Sequence, residues 1–156
     1  MGTNFYIRRK PTKQERDKMV QMVANAEYQA LKDYLNKCTI EYHIGLNSCG
    51  WQFLFASYPE NWCRMNNVAK PWDDNLASIK KCIEDSSYEI VDEYNKVYTP
   101  DEFWKIAGSK LYYVKDKYTN SIEEHRAGKI KYIVDIARYE YINAEGLRFA
   151  RDPDFS

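Results

Sequence analysis

The sequence predicts an α+β fold: a single domain over residues 1–156 whose mainly antiparallel sheet comprises an N-terminal strand, a central hairpin and a C-terminal hairpin, packed with about three amphipathic helices. Three observations carry this. Residues 40–56, IEYHIGLNSCGWQFLFA, alternate apolar and polar residues on both sides of a polar break bracketed by Gly45 and Gly50, the pattern of a β-hairpin. Helical and strand periodicities are intermingled along the chain without strict β-α-β alternation, which favours an antiparallel sheet over a doubly wound one. Finally, 156 residues with fourteen tyrosines and four tryptophans provide enough apolar surface for one core without metal or disulfide staples.

Taken in order, Phe5 and Ile7 alternate with Asn4, Tyr6 and Arg8, so a strand is expected over Thr3–Arg9, ended by Pro11. Thr12-Lys13-Gln14-Glu15 reads as a capping box. Beyond it Met19, Met22, Val23, Ala26, Ala30, Leu31, Tyr34 and Leu35 step by three and four, predicting one helix of about six turns whose apolar face lies across the hairpin. After the hairpin, the proline- and asparagine-rich stretch Ser57–Trp72 reads as an irregular connection. Asp73 or Asp74 is expected to cap a second helix that buries Leu76, Ile79, Cys82 and Ile83 and ends at Ser86 or Ser87. Tyr88–Tyr94 suits a strand with a wet face, turning at Glu93-Tyr94-Asn95-Lys96. Thr99-Pro100-Asp101-Glu102 repeats the capping logic, and Phe103 to Tyr118 makes a third amphipathic helix. Residues 120–132 are ambiguous, either continuing that helix or leading into a short one through Ile130, Ile133, Val134 and Ile136. Tyr139–Ala150 reads as strand, turn and strand, with Gly146 in the turn.

Charge narrows the partners. Lys and Arg total 23, as do Asp and Glu, so the formal charge is zero. That removes the electrostatic case for direct nucleic-acid binding and argues against an acidic DNA mimic. No apolar run approaches a membrane span, and the opening MGTNFYIRRK lacks a signal-like apolar stretch, so a cytosolic protein with no membrane partner is expected. The opening matches the acylation pattern at Gly2 only in part, since Tyr6 stands where Ser or Thr is required. Cys38, Cys49, Cys63 and Cys82 contain no C-x-x-C pair and read as free thiols. Aromatic surface and zero net charge make a homodimer a reasonable expectation.

The opening MGTNFY, the central EYHIGLNSCGWQF and the closing EGLRFARDPDFS together resemble a family of small uncharacterised proteins encoded by bacteriophages and prophages. Its members start Met-Gly-Thr-Asn-aromatic-Tyr, carry a His-Ile/Leu-Gly-x-x-Ser-x-Gly-Trp-x-Phe core and end in Gly-x-x-Phe with an acidic Phe-Ser tail. Two departures stand out. Leu46 replaces a basic residue that many relatives carry after His-Ile-Gly, and the Thr12 helix replaces a Cys-rich knuckle present in some. The resemblance implies a phage accessory protein in the host cytoplasm that acts on a host defence component, either an effector protein or a nucleotide signal.

The residues themselves nominate a ligand-binding set of His43, Asn47, Ser48, Trp62, Trp72 and Arg8. His43, Asn47, Ser48 and the backbone N–H groups of the Leu46–Gly50 turn would form a concave donor set for an anion or a base edge; equally, they would simply satisfy the turn's own backbone. Trp62 and Trp72 would line a groove for base stacking or pack into the core. Arg8, beside Arg9 and Lys10, would contact a phosphate or blunt a strand edge. The acids Glu89, Asp92 and Glu93 read as a solvated face. Cys49 beside His43 evokes a Cys–His nucleophile, but no orienting Asp or Asn is fixed by spacing, so no catalytic residue is assigned. Cys38, His43, Cys49 and Cys63 match no zinc template, so no metal and no cofactor are assigned. The expectation is therefore non-enzymatic binding that counters host defence, by sequestering a nucleotide-type signal in an aromatic-lined pocket. The alternatives are a direct protein inhibitor of the anti-CRISPR kind and a small hydrolase.

Overall fold

The computed structural model describes residues 2–48, 52–57, 70–111, 133–137, 140–143 and 145–150. Strand β1 (Gly2–Arg9) buries Phe5 and Ile7, as their alternation requires. Helix α1 (Lys13–Ala24) opens with the capping box: Glu15 N–H donates to Thr12 Oγ1 at 3.2 Å, and Thr12 N–H donates to Glu15 Oε1 at 2.9 Å.

The expected six-turn helix is instead two. The N–H of Ala26 bonds to the Val23 carbonyl at 3.0 Å and that of Glu27 to the Met22 carbonyl at 2.9 Å, while Ala26 takes a φ of 53°. Those two bonds around a left-handed residue are a Schellman closure, which ends α1 and reverses the chain into α2 (Tyr28–Cys38). The apolar spacing happens to stay in phase across the reversal, which is why periodicity alone reads through it. Neither helix contributes a buried residue, so the expected apolar face does not lie across the hairpin; the two helices pack on each other.

Strands β2 (Glu41–Ser48) and β3 (Leu54–Ala56) form the central hairpin, with Gly45 opposite Phe55 and Leu46 opposite Leu54. The expected polar break begins too early: Leu46, Asn47 and Ser48 are strand residues because β1 pairs with them, Asn4 to Leu46, Thr3 to Asn47 and Gly2 to Ser48. The register slips by one between Phe5 and Tyr6, leaving Ile44 as the extra residue of a β-bulge. Gly45 is required by proximity: a Cβ there would lie 2.4 Å from the Leu54 carbonyl oxygen and 2.5 Å from the Phe53 ring.

Asn75, rather than Asp73 or Asp74, caps α3 (Leu76–Glu84), its side chain accepting from Ser78 N–H at 2.8 Å. Asp74 is committed elsewhere, to Lys70 Nζ at 2.8 Å and to the Ser57 hydroxyl. Strand β4 (Tyr88–Asp92) turns through Asn95 into β5 (Val97–Tyr98), a pairing that periodicity does not reveal. Asp92 is buried rather than on a wet face, and accepts from the N–H groups of Tyr94 and Lys96 and from the Tyr98 hydroxyl at 2.9 Å. Burial opposes its charge, yet those donors hold its carboxyl below the usual range; the same burial, with Asp92 beside it, pushes Tyr98 up to about 12.

Helix α4 (Pro100–Ala107) has its capping box and N1 proline as expected, and passes into a 3₁₀ turn at Gly108–Lys110. The rest of the expected third helix lies outside the described residues, as do Trp51 and Trp62. Where a short helix through Ile133, Val134 and Ile136 was one expectation, the chain forms strand β6 (Ile133–Ala137). The β-branched run favours the extended state. The terminal hairpin is present as β7 (Glu140–Ile142) and β8 (Arg148–Ala150), with Gly146 at φ 85° in the turn.

The eight strands of the described residues form one sheet in the order β5-β4-β1-β2-β3-β8-β7-β6. Among the described pairings only β3 with β8 is parallel, so the architecture is the predicted α+β, mainly antiparallel one. One sheet face carries Phe5, Phe53 and Phe55, and Phe103 of α4 meets Phe5 and Phe53 edge-on at centroid distances of 5.6 and 5.7 Å. Leu54 and Phe55 point to opposite faces and both are buried, so the sheet is covered on both sides at β3.

Candidate functional site

Pairing places Arg8 opposite Glu41 and Tyr6 opposite His43, so these four share the sheet face away from Phe5 and Ile7. The Tyr6 and His43 rings lie 5.0 Å apart and tilted by 32°. Arg8 is committed: its Nε donates to Glu89 Oε1 at 2.7 Å, directly across on β4. Glu41 stands beside it, and Glu93 accepts from Asn4 at the far end of β1. Two carboxylates, Glu89 in contact and Glu41 directly across, flank this one guanidinium and make it a poor seat for a phosphate.

The other nominated residues are not brought to that place. Asn47, paired with Thr3, faces the opposite side of the sheet from His43. Ser48 is five residues from His43 along an extended strand, about 17 Å at the usual rise, and its carbonyl accepts from Lys110 Nζ at 3.2 Å. Leu46, Asn47 and Ser48 are strand rather than turn, because β2 stays paired with β1 as far as Ser48; Cys49 and Gly50 of the expected turn lie outside the described residues. Trp72 is a core residue rather than a groove wall. It is 3% exposed, donates from Nε1 to the Ala56 carbonyl at 3.3 Å and meets Tyr42 edge-on. Trp62, Cys49 and Cys63 lie outside the described residues.

Neither described thiol is an activated nucleophile. Burial, with Asp85 nearby, pushes Cys82 up to about 11, and burial and the Glu15 carboxylate also raise Cys38. Among the described residues no three His, Cys, Asp or Glu side chains are grouped to hold a metal ion, and no helix is long and apolar enough to cross a membrane.

What the sequence reading passed over is the arm made by α1 and α2. Its seam is formed by the half-buried Glu15, Met19 and Met22 of α1 against Leu31, Tyr34 and Cys38 of α2, so the helices run antiparallel. On each helix the residues one step beyond the seam form a second stripe: Val20 and Val23 on α1, Tyr28 and Leu35 on α2. For two antiparallel right-handed helices, the step after the seam rotates each helix toward the same side of the pair, so both stripes share one face. That face is open: Val20 is 67%, Val23 52%, Tyr28 66% and Leu35 46% exposed. The opposite side is polar, with Gln14, Lys18 and Gln21 on α1 and Asp33 and Lys37 on α2; Lys18 Nζ sits 4.6 Å from the Tyr34 ring centroid.

The arm is held to the sheet at its base by Arg9. Its Nη1 and Nη2 donate to the two oxygens of Glu15 at 2.8 and 2.9 Å, and Nη2 also donates to the Cys38 carbonyl at 2.8 Å. One guanidinium thus grips the first turn of α1 and the last of α2. The Arg9 hydrogen bond, aided by the Cys38 thiol and Thr12 N–H, holds the Glu15 carboxyl far below its usual range. Sequence did carry a signal for the open face: the apolar positions of residues 19–35 are more numerous than one helix–helix seam consumes.

Fold and surface thus define an α+β protein bearing an amphipathic two-helix arm. No protein-family model matches the chain, nor does any curated protein or solved structure.

Proposed function

We propose that this is a phage-encoded accessory protein that counters host antiviral defence by non-enzymatic binding, and that it binds a defence protein through the apolar face of the α1–α2 arm. One observation carries the choice of a protein over a nucleotide. Four large apolar side chains lie open together on one side of a two-helix element that adds nothing to the core. Contiguous apolar surface of this kind on a helical element fits a protein partner. Of the nominated ligand residues, Trp72 packs in the core and Arg8 is held in a cross-strand ion pair.

A second reading, capture of a nucleotide-type signal, draws on the Tyr6–His43 ring pair beside Arg8. Calorimetry against a panel of cyclic and linear nucleotides separates the two. The protein-facing reading expects no heat with any of them. A saturable signal that Arg8→Ala or His43→Ala removes would overturn it.

A further inference from the structure

We infer that the protein segment docked by the arm is an acidic amphipathic helix, laid in the groove between α1 and α2 with its carboxylates against Lys13, Arg16 and Lys32. This rests on the reading of the arm as a docking surface and names the chemistry of what docks there. The zero charge of the whole chain hides a local bias. Arg16 and Lys13 stand four and seven residues before Val20, and Lys32 four after Tyr28, so all three cations share the open apolar side of the helix pair. Each is exposed, and among the described residues none is in an ion pair; Arg16 donates one hydrogen bond, to the Pro11 carbonyl at 2.9 Å. The arm's acids are placed elsewhere. Glu15 is held in the clamp, Asp33 accepts from Gln29 at 3.0 Å on the polar side, Asp17 stands on the edge of α1 remote from α2, and Glu27 lies in the reversal between the helices.

Backbone chemistry selects a helix as the occupant. The N–H and C=O groups of α1 and α2 are bonded within the helices, so the arm offers no edge onto which an extended strand could add. A helix satisfies its own backbone and brings only side chains. With Val20 and Val23 on one wall and Tyr28 and Leu35 on the other, the half-buried Met19 and Leu31 form the floor of a groove that takes a third helix. An anionic membrane is the poorer fit, because helices that lie on lipid sink Trp, Phe and Leu into it, and of these the open stripe holds Leu35 alone. Seam contacts set the spacing of the charges. Glu15 meets the Cys38 thiol and Lys18 lies over Tyr34, so Lys32 is level with Val20 and Gln21. Arg16 and Lys32 therefore flank opposite walls about 6–8 Å apart along the axis, little more than one turn of a docked helix. Carboxylates on either side of that helix's apolar stripe, offset by about one turn, meet both.

A displayed library of helical peptides about five turns long tests this, with a fixed Leu and Ile stripe and flanking positions varied among Glu, Gln and Lys. It is selected against the full chain and, in parallel, against Val20→Glu/Val23→Glu. Helices enriched on the wild type alone should carry Glu at the flanks and bind on the order of tenfold more tightly than their Lys-flanked counterparts at low salt. On Arg16→Glu/Lys32→Glu the preference should reverse to Lys. Circular dichroism verifies that each variant is folded. Enriched helices with Lys or with no charge preference would overturn the inference and leave the arm a docking surface. Selection of no arm-dependent helix would also overturn it, and binding of phosphatidylglycerol vesicles that Val20→Glu/Val23→Glu abolishes would then assign the face to a membrane. Whether the arm docks a defence protein at all is decided separately, by infection of hosts that carry the defence system.

Discussion

Replacing Arg9 by Met should loosen the arm without unfolding the sheet. The guanidinium makes three hydrogen bonds of 2.8 to 2.9 Å, two to Glu15 and one to the Cys38 carbonyl. The Arg9 and Glu15 side chains are only 25% and 16% exposed. A fully exposed ion pair contributes about 0–1 kcal/mol, whereas hydrogen bonds to charged groups contribute about 1.5–3 kcal/mol where solvent competes less. Methionine keeps most of the stem's packing, so a loss of about 2–3 kcal/mol is expected, confined to opening of the arm. That corresponds to roughly 30- to 150-fold faster amide exchange within Lys13–Cys38. Amides of β1, β2 and β3 should change far less, because no α1 or α2 residue is part of the core. Native-state hydrogen exchange reads both regions at once. Unchanged exchange in the arm, or an equal rise in arm and sheet, would refute the reasoning.

The same clamp sets an acid limit. Glu15's folded-state pKa lies below its unfolded value, so its stabilisation is complete above about 4.3 and is lost as pH falls toward the folded value. Arm exchange in the wild type should therefore accelerate below about pH 4, and Glu15→Gln should flatten that dependence.

Two further predictions concern the backbone. Gly45→Ala puts a methyl 2.4 Å from the Leu54 carbonyl oxygen, so β2 and β3 must separate where both faces of the sheet are buried. A loss of about 2–3 kcal/mol in urea unfolding is expected, and less than about 0.5 kcal/mol would contradict the close approach. Ala26→Gly relieves a left-handed residue at φ 53° and should gain about 0.5–1 kcal/mol net of the added chain entropy; a loss would mean the Schellman closure is not what ends α1.

Local signals served the sequence reading well and long-range competition defeated it. Both capping boxes, the strands of Phe5 and Ile7, and the Gly146 turn depend on residues within a few positions, and all are present. The α1–α2 break was hidden because Ala26, rather than glycine, occupies the left-handed position, and because the apolar phase survives the reversal. Asn47 and Ser48 look like turn residues, but pairing with β1 overrides that preference, and no local pattern announces it. Gln52 reads as an outward polar position, yet it is buried and donates from Nε2 to the Gly146 carbonyl at 2.7 Å, a contact across 94 residues. In the candidate site, His43 and Asn47 were joined by proximity in the chain while strand pairing puts them on opposite faces of the sheet, and Trp72 packs into the core. The arm's open face was legible only as a surplus of apolar residues, which sequence alone assigned to the core.

Defence-challenged infection is the most direct measurement of the central claim. A phage restricted by a host defence system is plated on hosts expressing wild type, Val20→Glu/Val23→Glu or Arg8→Ala/His43→Ala, each verified as folded, and plaques are counted on hosts carrying and lacking that system. Rescue by the sheet-face variant at wild-type level, with loss of rescue in the arm variant, is the predicted result. Rescue that survives the arm substitutions and disappears with those at Arg8 and His43 would contradict it.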